Sequence, residues 1–124
     1  MLRWDTLPGA IAEGKPVFGA LGTDIDVDSG YSAARSAGLN VLAQLRAACG
    51  GAIDRVVRCL NVTGYVNSAD EFKDQPKVIN GAGDLLDEMF GDTGKAARPS
   101  IGVNTLPFNV AVEIVSLWEV SDED

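Results

Sequence analysis

From Ala97 to Ile114 the chain reads as two strands joined by a tight turn, the first with one arginine at its start and the second with one glutamate inside an otherwise apolar run. Arg98 opens the first, Arg98-Pro99-Ser100-Ile101-Gly102-Val103, and Leu106-Pro107 marks the turn. Glu113 interrupts the apolar run Val110-Ala111-Val112-Glu113-Ile114 of the second. Burying an unpaired charge is costly, so a lone carboxylate in a strand of this kind needs a partner or a task. An arginine and a carboxylate on neighbouring strands suit the binding of a small carboxylic acid, with proton transfer beside it.

The rest of the chain supplies a frame for such a pair. Asp26-Val27-Asp28-Ser29 starts a helix that runs to about Ala48, with Tyr31, Ala34, Val41, Leu42 and Leu45 near helical spacing. Gly38 lies on the same face, where a missing side chain allows close packing on a sheet. Val56 to Val66 is rich in β-branched residues and reads as a long strand. Ser68…Glu71 has the spacing of a capping box, so a second helix is expected from there through Lys77 and Leu85 to Phe90, with Pro76 signalling a turn or break before it. The first 23 residues read as one short strand near Pro16–Leu21 with loops elsewhere, and the acidic tail Asp122–Asp124 as frayed. Leu2-Arg3-Trp4-Asp5 resembles the middle of a hairpin more than a domain start, which suggests a segment ahead of it. Strand, helix, strand, helix, strand, strand fits one sheet with both helices on one face. The face left open calls for a second copy of the chain.

Bulk properties narrow the chemistry. The 124 residues fit a single domain, 1–124, and a hydrophobic fraction of 46% is enough for a core. A net charge of −8 repels phosphate backbones, so no nucleic-acid partner is expected. No polybasic segment and no long apolar run suggest a membrane, and the first residues lack the pattern of a secretory signal, so the cytoplasm is the expected compartment. Cys49 and Cys59 fit small buried thiols better than a disulfide framework. With no histidine, Ser-His-Asp and Cys-His catalysis are excluded and transition-metal sites are disfavoured.

The stretches Arg98-Pro99-Ser100-Ile101-Gly102-Val103, Leu106-Pro107 and Val112-Glu113-Ile114 together resemble the reactive-intermediate deaminase family, also called Rid or YjgF and formerly labelled endoribonuclease. Gly64-Tyr65-Val66-Asn67-Ser68-Ala69-Asp70-Glu71-Phe72 and Gln75-Pro76-Lys77-Val78-Ile79-Asn80-Gly81-Ala82 are similar to its strand-to-helix junction and second helix, and the resemblance spans about residues 19–120. It implies an α+β, chorismate-mutase-like fold, a mixed sheet with two helices on one face, assembled as a homotrimer with clefts between subunits. It implies hydrolysis of enamines and imines such as 2-aminoacrylate to 2-keto acids and ammonia, with no cofactor and no metal. Arg98 then grips the substrate carboxylate, Glu113 orients or activates water, and Asn80 and Ser100 line the substrate site.

Pro99 departs from the family pattern, in which a serine often follows the arginine. It removes one backbone N–H beside the expected carboxylate site. The N-terminal part, which in the family supplies strands and pocket residues, is short or divergent. A non-catalytic trimer that binds 2-keto acids is therefore the alternative, ahead of the endoribonuclease. Simpler roles stand beside each expected one. Arg98 pairs with an acid at the surface; Glu113 points outward or meets Arg58 or Lys95; Asn80 is an ordinary helix residue; Ser100 only packs. Asp84, Asp87 and Glu88 read as a solvated acidic helix face.

Overall fold

In the computed structural model, which describes residues 2–7, 11–12 and 15–121, the β-branched run becomes the axis of the sheet. The elements in chain order are β1 (Leu2–Leu7), β2 (Ile11–Ala12), β3 (Lys15–Pro16), α1 (Val27–Ala48), β4 (Val56–Asn67), α2 (Gln75–Phe90), β5 (Ser100–Val103) and β6 (Val112–Val120). The main sheet has the order β1-β6-β4-β5. β6 is antiparallel to both β1 and β4, whereas β5 is parallel to β4, and β2 pairs with β3 in a separate ribbon. The tail Asp122–Asp124, read as frayed, and residues 1, 8–10 and 13–14 lie outside the described residues.

This is the α+β arrangement read from the sequence, a mixed sheet with two helices on one face. Alternation along the strands shows which face. On β6, Val112, Ile114, Ser116, Trp118 and Val120 are buried to within 1% of complete, and on β4 so are Val62 and Val66. They meet Ala34, Ala37, Val41 and Leu45 of α1 and Val78, Ile79, Ala82 and Leu86 of α2. Trp118 packs against Phe90 with ring centroids 5.2 Å apart. Gly64 belongs to this layer, because a Cβ there would stand 2.5 Å from Ile79. Among the described residues the other face of the sheet carries no helix.

Four expectations are corrected. First, β5 and β6 are not neighbours. Parallel strands need a crossover between them, which α2 supplies for β4 and β5, and β6 returns antiparallel on the other side of β4. Second, α2 begins at Gln75, not at Ser68. Pro76 has no N–H to give the carbonyl of Phe72, four residues back, so the helix cannot extend that far. The Gln75 side chain donates to that carbonyl instead, at 2.9 Å, and the Ser68 hydroxyl donates to Val66 O rather than capping a helix. Third, Leu2–Leu7 is a full strand along β6, from Leu2 opposite Glu119 to Leu7 opposite Ile114, and the expected strand at 16–21 shrinks to β3 plus single bridges such as Phe18 to Val110. Fourth, Gly38 packs on α2, not on the sheet: a Cβ there would lie 3.0 Å from Leu85. The helices also meet tightly at Gly81, where a Cβ would collide with the carbonyl oxygen of Tyr31.

Candidate functional site

Glu113 stands on the helix-free face. Its chain neighbours Val112 and Ile114 point into the core, so alternation turns Glu113 the other way. It is half-buried and lies opposite Tyr65 of β4, which in turn lies opposite Ile101 of β5. Among the described residues no hydrogen bond or ion pair engages its carboxylate. Arg58, one of the partners weighed for it, pairs with Glu119 at 3.0 Å. Thr63 and Asn61 extend the polar part of this face, joined by a 2.9 Å hydrogen bond.

Arg98 lies on the other side of the sheet, beneath α2. Its Nη1 donates to Gly83 O at 3.2 Å, and its Nη2 donates to Gly94 O and to Asp87 Oδ1, both at 2.8 Å. Gly83 makes room for the guanidinium, since a Cβ there would come within 2.9 Å of Nη1. Nε is buried with no acceptor. The hydrogen bond from Arg98 holds the Asp87 carboxyl below the usual carboxylate range, against the opposing effect of burial. Arg98 is thus part-buried and already paired with an acid.

Ser100 is half-buried beside Gly64, at the start of β5, and Asn80 is exposed on α2 between the buried Ile79 and Gly81. Arg98 and Ser100 therefore share the helix side of the sheet, Glu113 occupies the opposite face, and Asn80 points to solvent. One subunit does not gather the four around a common hollow. Of the clefts the structure describes, one of about 520 Å³ is lined by Gly22–Val27 and Phe72, and one of about 200 Å³ by Ser68–Asp70, Phe72, Gln75 and Gly102–Asn104. Neither includes Arg98, Asn80, Ser100 or Glu113. Among the described residues no three potential metal ligands converge, and no helix is long and apolar enough to cross a membrane.

The turn that leads into β6 is held by a residue the sequence reading passed over. Phe108 and Asn109 both have left-handed backbones, with φ of 57° and 60°. Asn67 is 1% exposed, and its Nδ2 donates to Asn109 Oδ1 at 2.9 Å and to Val110 O at 3.1 Å. Gly19 N adds a 2.8 Å bond to Asn109 O. These contacts fix the entry to the strand on which Glu113 sits.

The profile described as "YjgF/chorismate_mutase-like, putative endoribonuclease" matches residues 10–120. The chain belongs to the YjgF family. Solved structures agree. The protein Atu1372 of Agrobacterium tumefaciens, titled as of unknown function, superposes with a TM-score of 0.88 at 37% identity, over 95% of this chain and 77% of that one. A protein of Shewanella oneidensis named a "putative endoribonuclease" gives 0.84 at 32% identity, over 94% and 79%. Protein TCP17 of Trypanosoma cruzi is 42% identical over 105 residues, 84% of this chain and 65% of that protein. The YjgF chain described here thus spans less than two-thirds of that relative's length.

One further expectation holds only in part for this YjgF chain, since Asp84 and Glu88 are exposed as a solvated face requires but are also paired. The acidic face of α2 is not merely solvated: Tyr31 donates to Asp84 at 2.6 Å, Arg35 pairs with Glu88 at 3.1 Å, and Arg98 with Asp87 at 2.8 Å. Tyr31 and Arg35 are four residues apart on α1, which sets them on one helix face, and that spacing was the signal available in the sequence. Nothing local links Asp87 to Arg98, eleven residues later and beyond a turn.

Proposed function

We propose that the chain is an imine/enamine deaminase that converts 2-imino acids, formed from 2-aminoacrylate-type enamines, to 2-keto acids and ammonia in clefts between the subunits of a homotrimer. The observation that carries this reading is Glu113. In a member of this family, it is an unpaired carboxylate on a helix-free sheet face, opposite Tyr65. A second copy packed there encloses it, and Arg98, Ser100 and Asn80, which one subunit keeps apart from it, reach the same cleft from the neighbour.

The chemistry asks for little. Water adds to the imine carbon as Glu113 accepts its proton, giving a carbinolamine. The proton passes to nitrogen, the carbinolamine hydroxyl gives up its own proton to the same nitrogen through Glu113 as the C–N bond breaks, ammonia leaves with both protons of the water, and the carbonyl forms. The sum is imine plus water to ketone plus ammonia, and one carboxylate suffices as base. Arg98 holds the substrate carboxylate, a task for which its planar fork is suited.

A second reading is a trimer that binds 2-keto acids without turning anything over. It is favoured by Pro99, which removes one backbone N–H beside the expected carboxylate site. The endoribonuclease named in the family description fits less well, because a net charge of −8 repels phosphate backbones and a chain with no histidine lacks the usual general base. The deciding experiment generates 2-aminoacrylate in situ and follows keto-acid release. Faster release with the protein supports the deaminase. Pyruvate binding with no acceleration for any imine favours the binder, and neither result leaves the family's activity outside this chain.

A further inference from the structure

Arg98 is held by its own chain in a way that leaves it incompletely satisfied. Asp87 gives it one carboxylate oxygen, Oδ1, on Nη2 at 2.8 Å. The adjacent donor Nε is buried and has no acceptor. Nε and Nη2 lie along one edge of the guanidinium, the edge that a planar carboxylate takes with two parallel hydrogen bonds. In the present arrangement Nη2 divides its two hydrogens between Asp87 Oδ1 and Gly94 O, while Nε donates to nothing. A buried donor without an acceptor is costly, and a carboxylate that spans the edge removes the cost. The pair borders solvent, with Arg98 22% and Asp87 38% exposed, and Nε itself is covered while Asp87 is in place. If Asp87 leaves, it returns to water, and the guanidinium keeps its carbonyl acceptors Gly83 O and Gly94 O, which hold it in place.

We propose that Asp87 is an internal competitor for the anion site at Arg98, displaced when a ligand carboxylate takes the Nε/Nη2 edge. The proposal rests on the reading of Arg98 as the carboxylate-binding residue. It makes Asp87 a positioning residue that presets the guanidinium and lowers the affinity for monocarboxylates. It also favours ligands that can offer two coplanar oxygens over those that can offer one. The hydrogen bond from Arg98 that keeps Asp87 ionised keeps the competitor in place at neutral pH.

The test is calorimetric titration of pyruvate into the wild-type protein, Asp87→Asn, Asp87→Glu and Arg98→Ala, each first shown by thermal melting to be folded. Asp87→Asn should bind pyruvate about two- to fivefold more tightly, the scale on which one part-exposed charge pair competes. Asp87→Glu should stay near wild type, and Arg98→Ala should not bind. A merely structural Asp87 predicts the opposite sign, because losing it would loosen the site. Wild-type binding with equal or weaker affinity in Asp87→Asn overturns the competition while leaving the Arg98 site standing. Binding in Arg98→Ala at wild-type strength, or no binding by wild type and Asp87→Asn at millimolar pyruvate, overturns both. If Asp87→Asn does not fold, Asp87→Ser carries the same expectation. Side-chain NMR of the wild type adds a second readout: the Arg98 Nε–H resonance should shift as pyruvate saturates the protein, and binding without that shift overturns the proposal.

Discussion

Glu113 and Arg98 face away from each other across one sheet. Glu113 sits opposite Tyr65 on the face without helices, and Arg98 lies under α2, bonded to Gly83 O, Gly94 O and Asp87. No side-chain rotation in one subunit brings a carboxylate and a guanidinium from opposite faces onto one small substrate. Any chemistry that uses both needs the edge or face of a second subunit, so assembly and activity are expected to rise and fall together.

Glu113→Gln separates base from shape. The amide keeps the size and hydrogen-bonding reach of the carboxylate but takes up no proton from water. Turnover of an imine generated in situ should fall by about 10²–10⁴-fold, the usual scale for a positioned general base. Pyruvate affinity should hold, since Arg98 carries the ligand carboxylate. Turnover equal to wild type removes Glu113 from the mechanism.

The elements with local signals were legible. α1 starts at Val27 with Asp26 accepting from Ser29 N at 2.8 Å, as the capping residues indicate, and β4 follows its β-branched run. The face of Glu113 was also open to reading, because Val112 and Ile114 on either side must point inward. What depends on distant partners was not legible. Leu2–Leu7 becomes a strand because β6, more than a hundred residues on, offers it an edge. The Ser68…Glu71 signal loses to Pro76, a competition between two local rules whose outcome rests on the side chain of Gln75. The resemblance that singles out Arg98 and Glu113 carries their spacing along the chain, not the face on which each emerges, and β4 intervenes between the two strands.

The helix-free face should be an interface. Val115 and Leu117 on β6 and Ile101 on β5 supply its apolar part, and Ile101 is 43% exposed. Sedimentation or light scattering of the wild type should report a trimer. Leu117→Asp puts a charge where subunits meet and should shift the protein toward monomer with its far-ultraviolet circular dichroism unchanged. A wild type that stays monomeric at every concentration removes the trimer, and with it the shared cleft.

Gly81→Ala tests the helix contact. The added methyl meets the carbonyl oxygen of Tyr31, which is backbone and cannot swing aside, so α1 and α2 must separate. Overpacking of this kind costs about 1–3 kcal/mol, and a rigid backbone neighbour places it at the upper end. Alanine is the better helix former, so propensity alone predicts the reverse sign. Thermal or urea unfolding decides which term wins, and a raised midpoint would mean that the helices part without cost.

Cys59 should be chemically quiet and should shape the alkaline limb of stability. Burial pushes its thiol up to about 11, against the smaller opposing effects of a backbone hydrogen bond at Asn61 and the nearby charge of Arg98. At pH 8 a disulfide reagent should therefore leave Cys59 unmodified in the folded protein and react with it after unfolding. An unfolded thiol ionises near about 8.5, so the unfolded chain gives up its proton first as pH rises. Stability contributed by this group is complete below that value and is lost as pH climbs toward about 11. Tyr31 acts in the same direction, because its hydrogen bond to Asp84 raises the phenol above its ordinary value. Urea unfolding measured from pH 8 to 11 should show a falling limb that flattens in part in Cys59→Ala and in part in Tyr31→Phe. A limb unchanged in Cys59→Ala would mean that water reaches the thiol and that the core beneath Trp118 is open.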